Sequence, residues 1–377
     1  MISDSLVLNI ALDFSRPMRI CYVGNASSIH LQRWLKWVAS RGHDVHLITD
    51  FPIEIDTVKI YSIEHKKRSG MKIFISKMRE TKKIVKEINP DLLHAHYVFG
   101  YGTFGAYANF HPYVLTAWGS DILVDTSSMF KKVLVKYALK KADLITCDAQ
   151  HLKDRMMELG IEDQTINIIY FGTDSTKFCP QKKNESLKKK LELDGSPVVI
   201  SLRTLKPIYN VESLISAIPL VLQQIPQAKF IIAGEGLEEK MLKELASSLK
   251  VSDSIRFVGS IQNDELPYYL TASDVYVSTS LSDAGLAAST AEAMACELPV
   301  ISTDFGANAE WVKDGENGFL VPTKAPSLLA EKIIVLLKDR DLRLKFGKKG
   351  RKVITERLDY HTEMSKMEKI YESLIQK

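Results

Sequence analysis

Two hydrophobic periods alternate along this chain. Short continuous apolar runs, of the kind that fill a strand buried on both faces, trade places with longer stretches whose apolar residues recur every three or four positions. From Met18 the runs MRICYVG, DVHLIT, DLLHAHYV, YVLTAWG, DLITCDA and INIIYFG predict strands. The stretches IHLQRWLKWVASRG, KIFISKMRETKKIVKEI, KKVLVKYALKKA and HLKDRMMELG predict helices between them. The pattern restarts at SPVVISLR, then VESLISAIPLVLQQI, AKFIIAGEG, LEEKMLKELASSLKV and IRFVGS, and passes through ELPYYLTASDVYVS to a further strand–helix–strand unit and two terminal helices. Such alternation implies α/β domains, each a parallel sheet covered on both faces.

Domain boundaries follow from where the pattern pauses. Residues 1–17 read as an extension ahead of an alternative start at Met18, and 18–172 as a first Rossmann-like domain. Residues 173–195, polar and Lys-rich, read as a linker with a short surface helix, and 196–355 as a second Rossmann-like domain. A C-terminal helix in 356–377 is expected to pack back on the first domain. A length of 377 residues suits two such domains. Ligands are then expected in a cleft at the carboxyl ends of the strands.

Candidate chemistry concentrates in 278–303, STSLSDAGLAASTAEAMACELPVIST. The loop Gly285, Leu286, Ala287, Ala288 lacks long side chains that would block backbone amides, and a helix starting near Ala287 or Ala288 would offer free N–H groups and positive dipole character to a diphosphate. Glu292, one turn further in, carries acceptors suited to paired ribose hydroxyls. A second loop-to-helix junction follows at Gly306-Ala307-Asn308.

The ordered segments PDLLHAHY, VLTAWGSDI, IIYFGTDSTKF, FIIAGEGLEEKMLKEL, IRFVGSI, LPYYLTASDVYVSTS, TAEAMACELPVIST and GANAEWVKDGENGFLVP resemble a retaining GT-B glycosyltransferase of family 4, the glycosyl transferases group 1. The resemblance runs over nearly the whole chain from Met18. It implies two Rossmann-like domains facing across a cleft, a nucleotide sugar on the second, an acceptor mainly on the first, and transfer with retention and without a bound divalent metal. On this basis Glu292, Gly285, Leu286, Ala287, Ala288, Gly234, Gly236 and Gly259 are donor-side residues. Gly24, Asn25, His96, Trp118 and Asp121 are acceptor or cleft residues.

Three positions depart from the family pattern. The first Glu of its EX7E motif falls on Ala284, and Asp283 beside it is expected to supply the carboxylate. The His of a T-x-H-G segment falls on Trp118, which cannot act as a base but can stack on a sugar face. Arg203 matches the Arg of a GRLxxxKG segment, whereas Tyr209-Asn210 falls where Lys-Gly is expected. Lys206 is then the second cation for the leaving diphosphate. Asp283, Arg203 and Lys206 are thus the catalytic candidates.

Composition and charge narrow the reading further. Cys21, Cys147, Cys179 and Cys296 form no CxxC pair, which favours free thiols in a reducing cytoplasm, and no cluster has metal-ligand spacing. No apolar run reaches the ~20 residues of a membrane span, and the N-terminus lacks the basic leader of a signal peptide. Net charge is only +4, yet residues 65–88 and 131–141 are basic and interspersed with apolar residues, as on a helix that lies on an anionic membrane. A cytoplasmic enzyme, peripheral on the inner membrane face and acting on a glycan or lipid-linked acceptor, fits these features. Nucleic acid does not, for want of an aromatic-interleaved basic groove. VGNASS lacks GxGxxG, against an NAD oxidoreductase. Two alternatives remain: a sugar-nucleotide 2-epimerase of similar architecture, and a non-catalytic nucleotide-sugar-binding relative.

Overall fold

The computed structural model describes residues 16–64, 70–123, 125, 128–181, 184–281 and 285–376. The chain divides into two compact units, Met1–Ile169 with Lys366–Lys377, and Tyr170–Ser365. Among the described residues the first unit carries β1 (Arg19–Val23), β2 (Asp44–Thr49), β3 (Val58–Ser62), β4 (Leu92–His96), β5 (Tyr113–Thr116), β6 (Leu144–Cys147) and β7 (Ile166–Ile168). All pair in parallel, in the order 3-2-1-4-5-6-7.

The second unit carries β8 (Val198–Leu202), β9 (Lys229–Ala233), β10 (Ile255–Gly259), β11 (Val275–Ser278), β12 (Val300–Thr303) and β13 (Gly318–Val321). These too are parallel, in the order 10-9-8-11-12-13. In both sheets the first strand lies centrally and the chain reverses direction across the sheet beside it. That reversal, between β1 and β4 and between β8 and β11, opens a crevice at the strands' carboxyl ends where doubly wound sheets bind ligands.

Side-chain alternation explains why the strands read as continuous apolar runs. In β8 and β9, Val199, Phe230 and Ile232 enter one core of the second unit, while Val198, Ile200 and Ile231 enter the core on the opposite face. Each fully buried aliphatic or aromatic side chain contributes about 1.5–3 kcal/mol of transfer free energy. In the first unit Cys21, Val23, Leu93, Ala95 and Leu115 build one face.

The other face of the first sheet holds a polar and aromatic cluster. The Tyr371 hydroxyl, on the helix Tyr360–Ile375, lies 3.0 Å from the Tyr22 hydroxyl and 2.6 Å from His94 Nδ1, and it accepts from Trp34 Nε1 at 3.2 Å. His94 Nε2 meets Thr116 Oγ1 at 2.7 Å, which lies 2.6 Å from Thr146 Oγ1. Each member of this buried cluster therefore has a hydrogen-bonding partner, as burial of polar groups demands. Burial pushes the pKa of His94 well below its ordinary value, so the ring is neutral.

Several expectations are revised. The residues 173–195 belong to the second unit, because Phe178 and Leu193 are buried in its core. The short helix within this stretch is Glu185–Lys190, with Asn184 accepting from Leu187 N at 3.0 Å. Three helices end the chain where two were expected: Pro326–Lys338, Arg340–Arg357 and Tyr360–Ile375. The break between the first two comes at Asp339, whose Oδ1 caps the second through Leu342 N at 2.8 Å. The last helix passes at Lys366 into the first unit. Apart from Arg16 and Pro17, the expected extension 1–17 lies outside the described residues.

Candidate active site

The donor-side candidates gather at the sheet reversal of the second unit. Past β11 the chain runs through Thr279–Leu281, and after a stretch outside the described residues it continues at Gly285, Leu286 and Ala287 into the helix Ala288–Ala295. Ala287 occupies the N-cap, and among the described residues no side-chain oxygen caps the first turn's amides. Glu292 sits half-buried one turn into this helix. Asp283 and Ala284 lie outside the described residues.

Arg203 leaves the end of β8, on the other side of the reversal. Its amide donates to Ala233 O at 3.2 Å, and its guanidinium carbon lies 4.2 Å from the centre of the Tyr209 ring. Lys206 is exposed and caps the 3-10 turn Pro207–Tyr209. The two cations therefore differ: Arg203 rests on an aromatic ring, and Lys206 stands in solvent.

Two glycines hold β9's exit against this loop. A Cβ on Gly234, whose φ is +130°, would strike the Arg203 carbonyl oxygen, and one on Gly236 would strike that of Leu205. Only glycine permits this approach. Gly234 N donates to Gly259 O at 2.7 Å, which brings the end of β10 to the same place, where Glu235 Oε1 accepts from Ser260 N at 3.3 Å.

The first unit's reversal presents different chemistry. Gly24 ends β1, and a Cβ there would lie 2.6 Å from Leu31 Cδ2 and 3.5 Å from His96 Cβ. Asn25 closes its own turn by accepting from Ser27 N at 2.9 Å and Ser27 Oγ at 2.8 Å. His96, at the end of β4, is 2 % exposed, and neither ring nitrogen has a hydrogen-bonding partner. Burial lowers its pKa to about 3. Its ring lies 5.7 Å from that of Trp118, which in turn lies 5.3 Å from His30.

Asp121 is fully buried and accepts from Val98 N at 2.7 Å and Trp118 N at 3.0 Å, so its carboxylate braces the loops after β4 and β5. Burial raises its pKa to about 6 against the lowering effect of those main-chain bonds. Asp148, just beyond β6, is a residue of this crevice that the sequence pattern does not mark. Its pKa also rises to about 6, first from burial and then from the charge of Asp121, and its Oδ1 is buried without a partner. A lone Asp after an apolar strand carries no signal for this, because both causes come from neighbours brought by the fold.

Among the described residues no group of three or more His, Cys, Asp or Glu side chains is placed to hold a metal ion, and no helix is long and apolar enough to cross a membrane.

Family models cover both units. The model for glycosyl transferases group 1 matches residues 182–353, and that for glycosyl transferase 4-like proteins matches 19–149. The chain belongs to the group 1 glycosyltransferases. It is 25% identical to the N-acetyl-alpha-D-glucosaminyl L-malate synthase of Bacillus anthracis, over 89% of this chain and 91% of that one. It is 27% identical to an uncharacterised glycosyltransferase of Methanocaldococcus jannaschii, over 94% and 95%.

The glycosyltransferase fold is GT-B, as in a solved Rickettsia africae glycosyltransferase (TM-score 0.81, 19% identity, 96% of this chain and 99% of that one). Anabaena HepE, solved with UDP, matches at TM-score 0.78 and 21% identity over 95% and 100%.

Proposed function

We propose that this glycosyltransferase moves a hexose or N-acetylhexosamine from a nucleoside diphosphate sugar to a glycan or lipid-linked acceptor, with retention and without a bound metal ion. The observation that carries this reading is the convergence at one strand reversal of an uncapped helix start at Ala288, Glu292 one turn inside that helix, and Arg203 at the end of β8. An N-terminal turn and a guanidinium both favour the charge that a diphosphate gains as it leaves. Glu292 would accept from the ribose hydroxyls, and Lys206 would add a second cation. Asp283 remains the proposed carboxylate near the transferred sugar. Bacillus anthracis and Anabaena relatives whose names carry an N-acetylglucosaminyl group and whose structure holds UDP support a nucleotide-sugar donor.

On the acceptor side, Trp118 and His30 would offer aromatic faces to a sugar ring. The first unit would rest on an anionic membrane through the helices Met71–Ile88 and Met129–Lys141. In the second of these Met129, Phe130 and Val133 are 78%, 52% and 61% exposed beside Lys132 and Lys136, an apolar and basic combination that favours lipid headgroups. Lys66, Lys67 and Arg68 lie outside the described residues.

Incubation with UDP-, GDP- and ADP-sugars, with and without polyprenyl-phosphate-linked and glycan acceptors, tests the reading. A glycoside whose anomeric proton matches the donor's configuration, formed in excess EDTA, is the expected product. An epimerised donor formed without acceptor would install the epimerase alternative, and no turnover with intact nucleotide binding would install the non-catalytic one. Co-sedimentation with anionic liposomes across a salt series checks the membrane, each basic side chain near the surface being worth about 1 kcal/mol. Equal sedimentation of wild type and a Lys132→Glu, Lys136→Glu variant would return these lysines to a solvated face.

A further inference from the structure

Tyr209 stands where the family pattern puts a lysine, and its surroundings give it a different task. The Arg203 guanidinium carbon lies 4.2 Å from its ring centre. Stacking occupies the face of a guanidinium and keeps its N–H donors in the ring-parallel plane, the geometry with which a guanidinium pairs with phosphate oxygens. A lysine at the same place would instead set a second cation against the first.

The main chain of Tyr209 is anchored independently of its ring. Thr279 Oγ1 donates to Tyr209 O at 3.0 Å, Leu281 N donates to Ile208 O at 2.8 Å, and Asn210 Nδ2 donates to Thr279 O at 3.4 Å. These bonds tie the turn after β8 to the loop after β11, which leads on to the helix Ala288–Ala295. The backbone of Arg203 is held from the other side by the close approach of Gly234.

We infer that Tyr209 is a positioning residue of this site: its ring fixes the plane of the Arg203 guanidinium, and its main chain couples that plane to the loop entering the donor-side helix. The inference rests on the proposal that Arg203 meets the donor diphosphate. It assigns this chain an anion clamp in which Arg203 is oriented by a ring at position 209 rather than facing a lysine there, with Lys206 as the second cation.

Binding of UDP, GDP and ADP is measured by calorimetry in wild type, Tyr209→Phe, Tyr209→Leu, Arg203→Ala and the Arg203→Ala, Tyr209→Leu double variant. The order parameter of the Arg203 Nε–Hε group is measured by NMR in the first three. Thr279 holds the carbonyl of Tyr209 and not its ring, so the ring variants keep the loop tie; Tyr209→Met replaces Tyr209→Leu should the latter unfold. Tyr209→Phe is expected to bind within about twofold of wild type, and Tyr209→Leu roughly tenfold more weakly, as loss of a stacked cation implies. The unfolding midpoint should not change, the order parameter should fall only in Tyr209→Leu, and the double variant should bind no more weakly than Arg203→Ala.

Wild-type affinity in Tyr209→Leu overturns the inference. So does an equal loss in Tyr209→Phe, which would make the hydroxyl the contact, or multiplied losses in the double variant. If Arg203→Ala binds as wild type does, or none of the three nucleotides binds wild type, the diphosphate role of Arg203 fails. The order parameter then decides separately whether the ring holds the guanidinium, and an unchanged value in Tyr209→Leu overturns that as well.

Discussion

The two sheets reverse in the same way and present opposite chemistry at the reversal. In the second unit the strand exits carry Arg203, Lys206 and an uncapped helix start, packed so closely that Gly234 and Gly236 touch neighbouring carbonyls. In the first unit the corresponding exits carry Gly24, His96, Trp118, Asp121 and Asp148, with an imidazole kept neutral and two carboxyls held toward their protonated forms. Topology therefore places a crevice in both units, and only side chains decide its charge. One suits an anion. The other carries aromatic rings, a neutral imidazole and two largely buried carboxyls.

The largest effect should come from the glycines. Gly234→Ala, at a φ of +130° and against the Arg203 carbonyl, should lower the stability of the second unit by on the order of 3 kcal/mol, read as a drop in denaturant midpoint. An unchanged midpoint would mean that the β8 and β9 exits can part, and the close packing would lose its meaning. Next comes Glu292→Gln, which should weaken nucleotide-sugar binding by roughly 1.5–3 kcal/mol at an unchanged midpoint. Calorimetry that finds full donor affinity would remove Glu292 from the ribose.

A smaller effect is expected in the first unit, with a definite sign in pH. Asp148 binds its proton more tightly folded than unfolded, because its pKa rises from 3.8 to about 6. Wild type should therefore lose stability as pH climbs from about 4 to 6, and Asp148→Asn should be the more stable protein at pH 7, by on the order of 1 kcal/mol for this partly exposed group. The advantage should vanish below pH 4; an advantage independent of pH would point to packing. Of the same order, Gly24→Ala meets a side chain that can rotate, so it should cost about 1 kcal/mol, well short of Gly234→Ala. Equal costs would erase the difference in packing between the two reversals.

Much of this architecture is legible in the sequence because strands buried on both faces declare themselves as apolar runs. β8 and β9 are examples. The edge strand β3 leaves no apolar run, since it is nowhere fully buried and its Lys59 pairs outward with Asp44. The short helix Thr103–Ala108, TFGAYA, has too few residues to show a period. Within the candidate site, the helix start near Ala288 and the place of Glu292 one turn inside it are legible in the sequence. The ring of Tyr209 under Arg203 could not, because a 3-10 turn between them sets that contact. Nor could the bond from Tyr22 to Tyr371, between residues 349 positions apart.

That last contact bears on the order in which the protein is made. Tyr22, Trp34 and His94 leave the ribosome early, yet the hydroxyl that joins them belongs to a residue translated after the whole of the second unit. At 5–20 residues per second the intervening ~200 residues take about 10–40 s. Throughout that interval the first sheet has a polar face without its last partner, so it can reach its final packing only after the second unit has been synthesised. Nascent chains arrested before residue 366 should accordingly be cut by protease within the first unit, while full-length chains released from the ribosome should resist.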